Sequence, residues 1–313
     1  MPTATIQPDK ILRELNQLWD QLDQDEADSG GVLRACAMTL VVTANDDADA
    51  EEVRRTLGVL MHDHPSRAVI LKIRDGAEFD ARVFAECWKP FGSSQQICSE
   101  GVEILSDSVR FEEAAQLLVP LKVPDLPAVL WCRGPSVFQL RSFDTLFPLA
   151  DKIIVDSSTV SHAAAALGFL RELRARGCRV ADLHWTRLTG WREILAHLFD
   201  DGALPASEIV SARVVHGGAT PSTCSLYFAA WIEDAVPRAR VSLVSEAGAP
   251  GLHSVALSTA ACELSLAKEG ASIQVTGCGR HYRASLPPMD QESLMREELK
   301  FLGPDPVFER TLT

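Results

Sequence analysis

Four short apolar runs separated by helical patterns constrain the fold of this chain most. LRACAMTLVVTA (33–44), AVILKIR (68–74), AVLWC (128–132) and KIIV (152–155) are nearly continuous in apolar residues rather than alternating. Strands covered on both faces need that texture, and a sheet is covered on both faces when helices cross over between parallel strands. The segment after the first run fits such a crossover. Asn45 stands where a helix is capped, and Asp46, Asp47, Asp49, Glu51 and Glu52 crowd the first turns, where the helix dipole favours acids. Val53, Leu57, Leu60 and Met61 then form its buried face, and HDHPSR (62–67) breaks it before the next strand.

RVFAECW (82–88) and QQICSEGVEIL (95–105) read as a hairpin across the turn-forming PFGSS, and a helix follows through Phe111, Ala114, Ala115 and Leu118. A short helical piece is expected at 143–149. At the start of the chain, Ile11, Leu15, Leu18 and Leu22, with Trp19 beside them, form one stripe of an amphipathic helix. That stripe needs burial on its own body or on another subunit. The N-terminal half is therefore an α/β domain with a mixed sheet and a leading amphipathic helix.

A different texture follows. An Ala- and Arg-rich helix over 160–176 ends at Gly177, a good C-cap. Further helices are expected at 191–199 and 221–232, and a strand at EIVSARVVHG (208–217). Strands in succession follow around 240–245, 254–266 and 271–276, before a final helix at 292–302. Such a run of strands points to an α+β C-terminal domain with mainly antiparallel strands. The expected division is 1–158 and 159–313, and the length of 313 residues agrees with about two domains.

Charge excludes several classes of partner. Thirty basic against 43 acidic side chains leave −13, so the basic footprint of a nucleic-acid binder and the cationic excess of a membrane-surface protein are both missing. No run approaches the roughly 18 apolar residues of a membrane span, and MPTATIQPDK has no apolar signal core, so the expected location is cytoplasmic. The acids concentrate between Asp20 and Glu52, whereas Arg171, Arg174, Arg176, Arg179, Arg187 and Arg192 gather beyond the domain boundary.

The eight cysteines, Cys36, Cys87, Cys98, Cys132, Cys178, Cys224, Cys262 and Cys278, lie at wide, irregular intervals with no CxxC pair. That spacing argues against a disulfide framework and against zinc, and it leaves small buried hydrophobes as the expected role. Cys98 and Cys278, in more polar settings, are the candidates for regulatory thiols.

Cofactor motifs are missing. No GxxxxGK[ST], GxGxxG, GxSxG or HExxH occurs, and GCGRHY at Gly277 lacks the third glycine. No cofactor and no metal site is expected. His62 and His64 would point in different directions at a helix end. Arg67 could grip a carboxylate or phosphate with two hydrogen bonds, or pair with an acid such as Asp63 and only fix the turn. Arg67 with Asp156, Ser157 and Ser158 is a candidate anion site, against the plainer reading of DSS as a helix cap. The densest polar and aromatic string is DLHWTRLTGWR (182–192). Trp185, Thr186, Arg187, Trp191 and Arg192 are candidates for partner binding, because Trp and Arg concentrate at interface centres. The competing reading packs both tryptophans inside and pairs the arginines with acids.

HPSR after an acidic helix, VPDLPAVLWCRG, DKIIVDSS, DLHWTRLTGWR leading into EILAHLFD, and the closing EELKFLGPDPVFERTL occur in one order across nearly the whole chain. Together they resemble the glucose-6-phosphate dehydrogenase assembly protein family, OpcA. The resemblance implies a two-domain protein that is not itself a dehydrogenase and that assembles or allosterically activates glucose-6-phosphate dehydrogenase. It also marks His64, Pro65, Ser66 and Arg67 as a family-motif loop, with Ser66 where the family often carries cysteine. A sugar-phosphate or nucleotide sensor, or an α/β enzyme, is the alternative. A thioredoxin-type partner follows only if cysteines pair in space.

Overall fold

The computed structural model describes residues 7–26, 30–108, 110–139, 141–200, 202 and 204–312. The chain packs as two units. The first holds Met1–Val155, Cys178–Val180 and Met295–Leu302; the second holds Asp156–Gly177, Ala181–Leu294 and Gly303–Thr313.

The first unit opens with helix α1 (Pro8–Asp25) and strands β1 (Val32–Arg34) and β2 (Met38–Ala44). Helix α2 (Asp47–Asp63), β3 (Ser66–Ile73), β4 (Asp80–Trp88), β5 (Gln96–Ser106), α3 (Phe111–Leu121), β6 (Ala128–Trp131) and β7 (Lys152–Val155) follow. Within this unit the strand order is β1-β5-β3-β2-β6-β7, with β4 on the free edge of β5. Every pair in that path is parallel and only β4–β5 is antiparallel, which is the mixed α/β sheet expected. All seven residues of β2 are buried, as its continuous apolar run requires of a central strand. The cap of α2 falls on Asp46 rather than Asn45, because the Asp46 carboxylate accepts from the Asp49 N–H at 2.8 Å. Two short 3₁₀ turns, Arg141–Thr145 and Phe147–Leu149, stand where one helical piece was expected at 143–149, and a third, Pro135–Phe138, precedes them.

Helix α1 buries Ile11, Leu15 and Trp19 on its own unit, so the buried stripe centres on Trp19 and leaves Leu18 and Leu22 only half covered. The Trp19 indole donates to Glu100 at 2.6 Å, and Glu100 also accepts from Arg34 and Arg67. Gly101 faces Phe84 across the β4–β5 ladder. A side chain at 101 would collide with the Phe84 ring, so the ring lies over bare backbone.

The second unit contains helix α4 (Ala163–Ala175), the end of β8 (Val180–Asp182), α5 (Leu183–Thr186), α6 (Thr189–Asp200), β9 (Ser211–Gly217) and α7 (Thr223–Ala235). Strands β10 (Arg240–Glu246), β11 (Gly251–Ser258), β12 (Glu263–Glu269), β13 (Ser272–Gly277) and β14 (Arg280–Ser285) complete its sheet. Helix α8 (Gln291–Leu299) and α9 (Pro306–Thr311) close the chain. The order is β10-β9-β11-β12-β13-β14, antiparallel throughout except for β9–β10. The single strand expected around 254–266 is two, and β14 lies where no strand was expected.

Two disulfides correct the reading of the cysteines. Cys87 and Cys98 are direct register partners on β4 and β5, and Cys262–Cys278 closes one end of the β12–β13 pair. Separations of 11 and 16 residues have no meaning until the hairpin registers are fixed. Cys98 and Cys278 are therefore each half of a bond rather than free thiols, while Cys36, Cys132, Cys178 and Cys224 remain unbridged.

Candidate functional site

Asp182 is the centre of the most polar buried cluster of the second unit. It ends β8 and caps α5, and it is fully buried. One carboxylate oxygen accepts the backbone N–H groups of Ser157 and His184 at 2.9 Å each; the other accepts the Tyr227 hydroxyl at 2.8 Å. Burial pushes its pKa up to about 6, against hydrogen bonds that pull it down. One carboxylate thus ties the 157–159 turn, α5 and α7 together.

Asp156 forms the second node. Arg187 grips it with two hydrogen bonds of 2.8 Å, and the Ser158 N–H and hydroxyl donate to it at 3.0 and 2.6 Å. These donors hold its pKa below the usual value despite burial, which acts the other way. The Ser157 hydroxyl lies 3.3 Å from His184 Nδ1. Burial lowers the His184 pKa to about 4, so the ring is neutral at pH 7, and its tautomer sets which of the two atoms donates. A serine, a histidine and an aspartate thus meet without the geometry of a nucleophilic triad: Asp182 bonds the His184 backbone, and Ser157 is sealed from solvent. The arrangement holds elements in place.

The partner-binding candidates fall around this cluster. Trp185 is 2% and Trp191 4% exposed, so neither offers area to a partner. Trp185 packs against Tyr227 and Phe308 and donates to Asp305 at 3.0 Å, and Trp191 meets Phe228 edge-on at 5.6 Å. Thr186 is buried and donates to the Asp182 carbonyl. The Arg192 guanidinium lies over the Trp185 ring at 3.8 Å. Trp and Arg enrichment marks interior clusters as well as interfaces, and the packing reading describes this one.

The anion-site candidates divide between the two units. Asp156, Ser157 and Ser158 belong to the second unit, where Ser158 is spent on Asp156 and Ser157 on Asp182 and His184. Arg67 belongs to the first unit, where it donates to Glu100 and to the Leu121 carbonyl. It pairs with an acid, but with Glu100 rather than Asp63, which instead accepts from Arg296.

In the family-motif loop, the His64 N–H closes α2 on Leu60, the Pro65 carbonyl accepts from Ala37, and the Ser66 hydroxyl is buried with no hydrogen-bond partner. His62 stacks on Trp88 at 4.8 Å. Among the described residues no group of three or more His, Cys, Asp and Glu could hold a metal, and no helix is long and apolar enough to cross a membrane.

Sequence reasoning missed Tyr227 and Glu100 as nodes. The chain has only two tyrosines, and one inside an otherwise apolar helix was the available signal for a buried hydroxyl needing an acceptor.

Residues 58–172 match the domain described as glucose-6-phosphate dehydrogenase subunit N-terminal domain, and residues 178–312 match its C-terminal counterpart. The chain belongs to the OpcA family. OpcA of Synechocystis sp., named as an OxPP cycle protein, is 30% identical over 142 residues, covering 44% of this chain and 30% of that protein. OpcA of Nostoc punctiforme is 25% identical over 190 residues, covering 59% and 41%. The chain thus spans less than half the length of these curated relatives. Among solved structures, a 3-ketoreductase from Actinomadura kijaniata in complex with NADP shares 11% identity at a TM-score of 0.47 over 90% of this chain and 94% of that one. A dehydrogenase from Chromobacterium violaceum gives 10%, 0.48, 90% and 91%. At that level of likeness neither fold nor activity is transferred.

Proposed function

We propose that this protein is a non-catalytic assembly factor and allosteric activator of glucose-6-phosphate dehydrogenase in the oxidative pentose phosphate pathway. The observation that carries the reading is the consecutive match of both halves to domains described as parts of a glucose-6-phosphate dehydrogenase subunit. An activator works by binding the active state of its target more tightly than the inactive one, with a typical coupling of about 1 to 3 kcal/mol.

The ends of the first unit's strands support a non-catalytic role. In an open parallel sheet a nucleotide lies outside the carboxyl ends of the strands where the order reverses, which in this unit is between β2 and β6. At that place side chains of the chain itself pair with one another. Arg133 donates through Nε to Asp49 at 2.7 Å and pairs with Glu52 at 3.3 Å, and Asn45 donates to Asp49 at 3.0 Å. The carboxylate of Asp49 sits at the α2 N-terminus, where a phosphate would otherwise be favoured.

The Trp185, Thr186, Arg187, Trp191 and Arg192 cluster then acts as internal support of the second unit. The test is co-purification with the cognate dehydrogenase, followed by glucose 6-phosphate saturation curves with and without this protein. Tighter saturation is expected; no binding and no kinetic change would overturn the assignment.

The disulfides favour one addition. Cys262 and Cys278 are both half-exposed, so a thioredoxin-type dithiol could reduce their bond to two thiols while its own pair is oxidised. Free-thiol counts and activation, measured before and after reduction, decide whether that partner acts. The sugar-phosphate sensor reading predicts a thermal shift with glucose 6-phosphate or NADP, and the internal pairing of Arg187 and Ser158 predicts none.

A further inference from the structure

The first unit carries an apolar surface that the described residues of that unit cover only in part: Ile97 and Trp88 are half-buried, and Leu33 and Phe91 are exposed. Leu33 on β1, Ile97 on β5 and Trp88 on β4 are successive register partners, so the three side chains lie in one row on one face of the sheet. Leu33 is 48% exposed at one end of the row. At the other end His62 stacks on Trp88, and Val59, one helical turn earlier on the same side of α2, is exposed as well. Immediately beyond this row the β4–β5 hairpin turns, and its tip displays Phe91, which is fully exposed.

The tip is built to hold that ring out. Ser93 N–H donates to the Pro90 carbonyl at 3.0 Å, Gln95 N–H donates to the Ser93 hydroxyl at 3.1 Å, and Gly92 takes a φ of 78° that favours glycine. Gln96 N–H is anchored on the Gly31 carbonyl at 3.1 Å. The Cys87–Cys98 bond crosses the hairpin one register pair below Trp88–Ile97, so the base of the turn cannot unzip. An ordered, exposed aromatic loses little conformational freedom when it binds.

We propose that Phe91 and the Leu33–Ile97–Trp88 row form the surface that docks this protein on glucose-6-phosphate dehydrogenase. Phe91 is the apolar anchor of that contact, and Lys89, exposed on the same hairpin, is its cationic flank. The identity of the partner rests on the function proposed above. Charge favours a different protein over a second copy. Each copy brings 13 net negative charges, and a two-fold contact at the tip would also set Lys89 near its own counterpart.

The experiment uses the full chain and the intact dehydrogenase, with Kd measured by calorimetry for the native protein, Phe91→Ser, Leu33→Ser and Phe301→Ser. Phe301 is another exposed aromatic of the first unit and serves as the control. Phe91→Ser is expected to weaken binding at least tenfold with an unchanged melting temperature, Leu33→Ser to weaken it less, and Phe301→Ser to leave it within twofold. Native protein that binds while Phe91→Ser binds equally well would overturn this surface and leave the functional reading standing. Native protein that does not bind would overturn both. A self-association of the native chain abolished by Phe91→Ser would assign the surface to a second copy and overturn the proposal.

Discussion

At the residue scale, Asp182 opposes the pH dependence that the other buried acids create. Its folded pKa is raised from 3.8 to about 6, chiefly by burial, so its contribution to stability is complete below pH 3.8 and is lost as pH rises through 6. Glu100, Glu103 and Asp156 have lowered pKa values despite burial, because hydrogen bonds and cations favour their charged forms. Their contributions are present above the ordinary carboxylate range and are lost on acidification. Asp182→Asn keeps an acceptor for the Ser157 and His184 N–H groups and turns the other atom into a donor toward Tyr227. Urea unfolding of this variant should show a gain over the native protein of up to about 3 kcal/mol between pH 4 and pH 6.5, at 1.36 kcal/mol per pKa unit. Parallel pH curves would contradict it. Ser66 gives a second prediction at this scale. Its hydroxyl is buried without a partner, so Ser66→Cys or Ser66→Ala should raise stability by about 1 kcal/mol, read as a higher melting temperature. Cysteine suits this position because a thiol tolerates the missing partner better than a hydroxyl does.

At the scale of elements, Glu100 joins three of them. It sits on β5, nearly buried, and holds Trp19 of α1, Arg34 of β1 and Arg67 of β3. Glu100→Ala leaves the Arg67 guanidinium buried beside no carboxylate, and the expected loss of unfolding free energy is about 3 to 5 kcal/mol. A loss under 1 kcal/mol would show that water replaces the carboxylate. Glu100 also marks the limit of what periodicity reveals. The continuous apolar runs of β2, β3, β6 and β7, the acidic first turn of α2 and the PFGSS turn were legible because each signal is local. Glu100 and Glu103 lie three apart on one strand and so on opposite faces of it, yet both are buried, since cations from other elements converge on them. Strand β14, RHYRAS, carries no apolar signal at all. It forms because the Gly277–Gly279 turn folds it back onto β13, with Cys278 at a φ of 47°. The disulfides were invisible for the same reason, being consequences of register.

At the scale of the molecule, the gathering of arginines beyond the domain boundary has a structural meaning. Arg171 donates to the Leu312 carbonyl and Arg174 to the Glu309 carbonyl, both at 2.6 Å, and Arg187 is spent on Asp156. Three of the clustered arginines therefore hold the second unit together. The Arg187 pair is half-exposed on the arginine side, so Arg187→Ala is expected to cost about 1 kcal/mol or somewhat more. Any weakening of activation should then vanish when the variant is assayed well below its melting temperature. We propose that this member of the OpcA family acts by binding glucose-6-phosphate dehydrogenase and favouring its active state. The initial rate of the cognate dehydrogenase against glucose 6-phosphate, measured with and without a saturating amount of this protein, tests it most directly. Half-saturation at a lower glucose 6-phosphate concentration, with no NADP reduction by this protein alone, is the predicted result. Superimposable curves, or NADP reduction by this protein in the absence of the dehydrogenase, would contradict it.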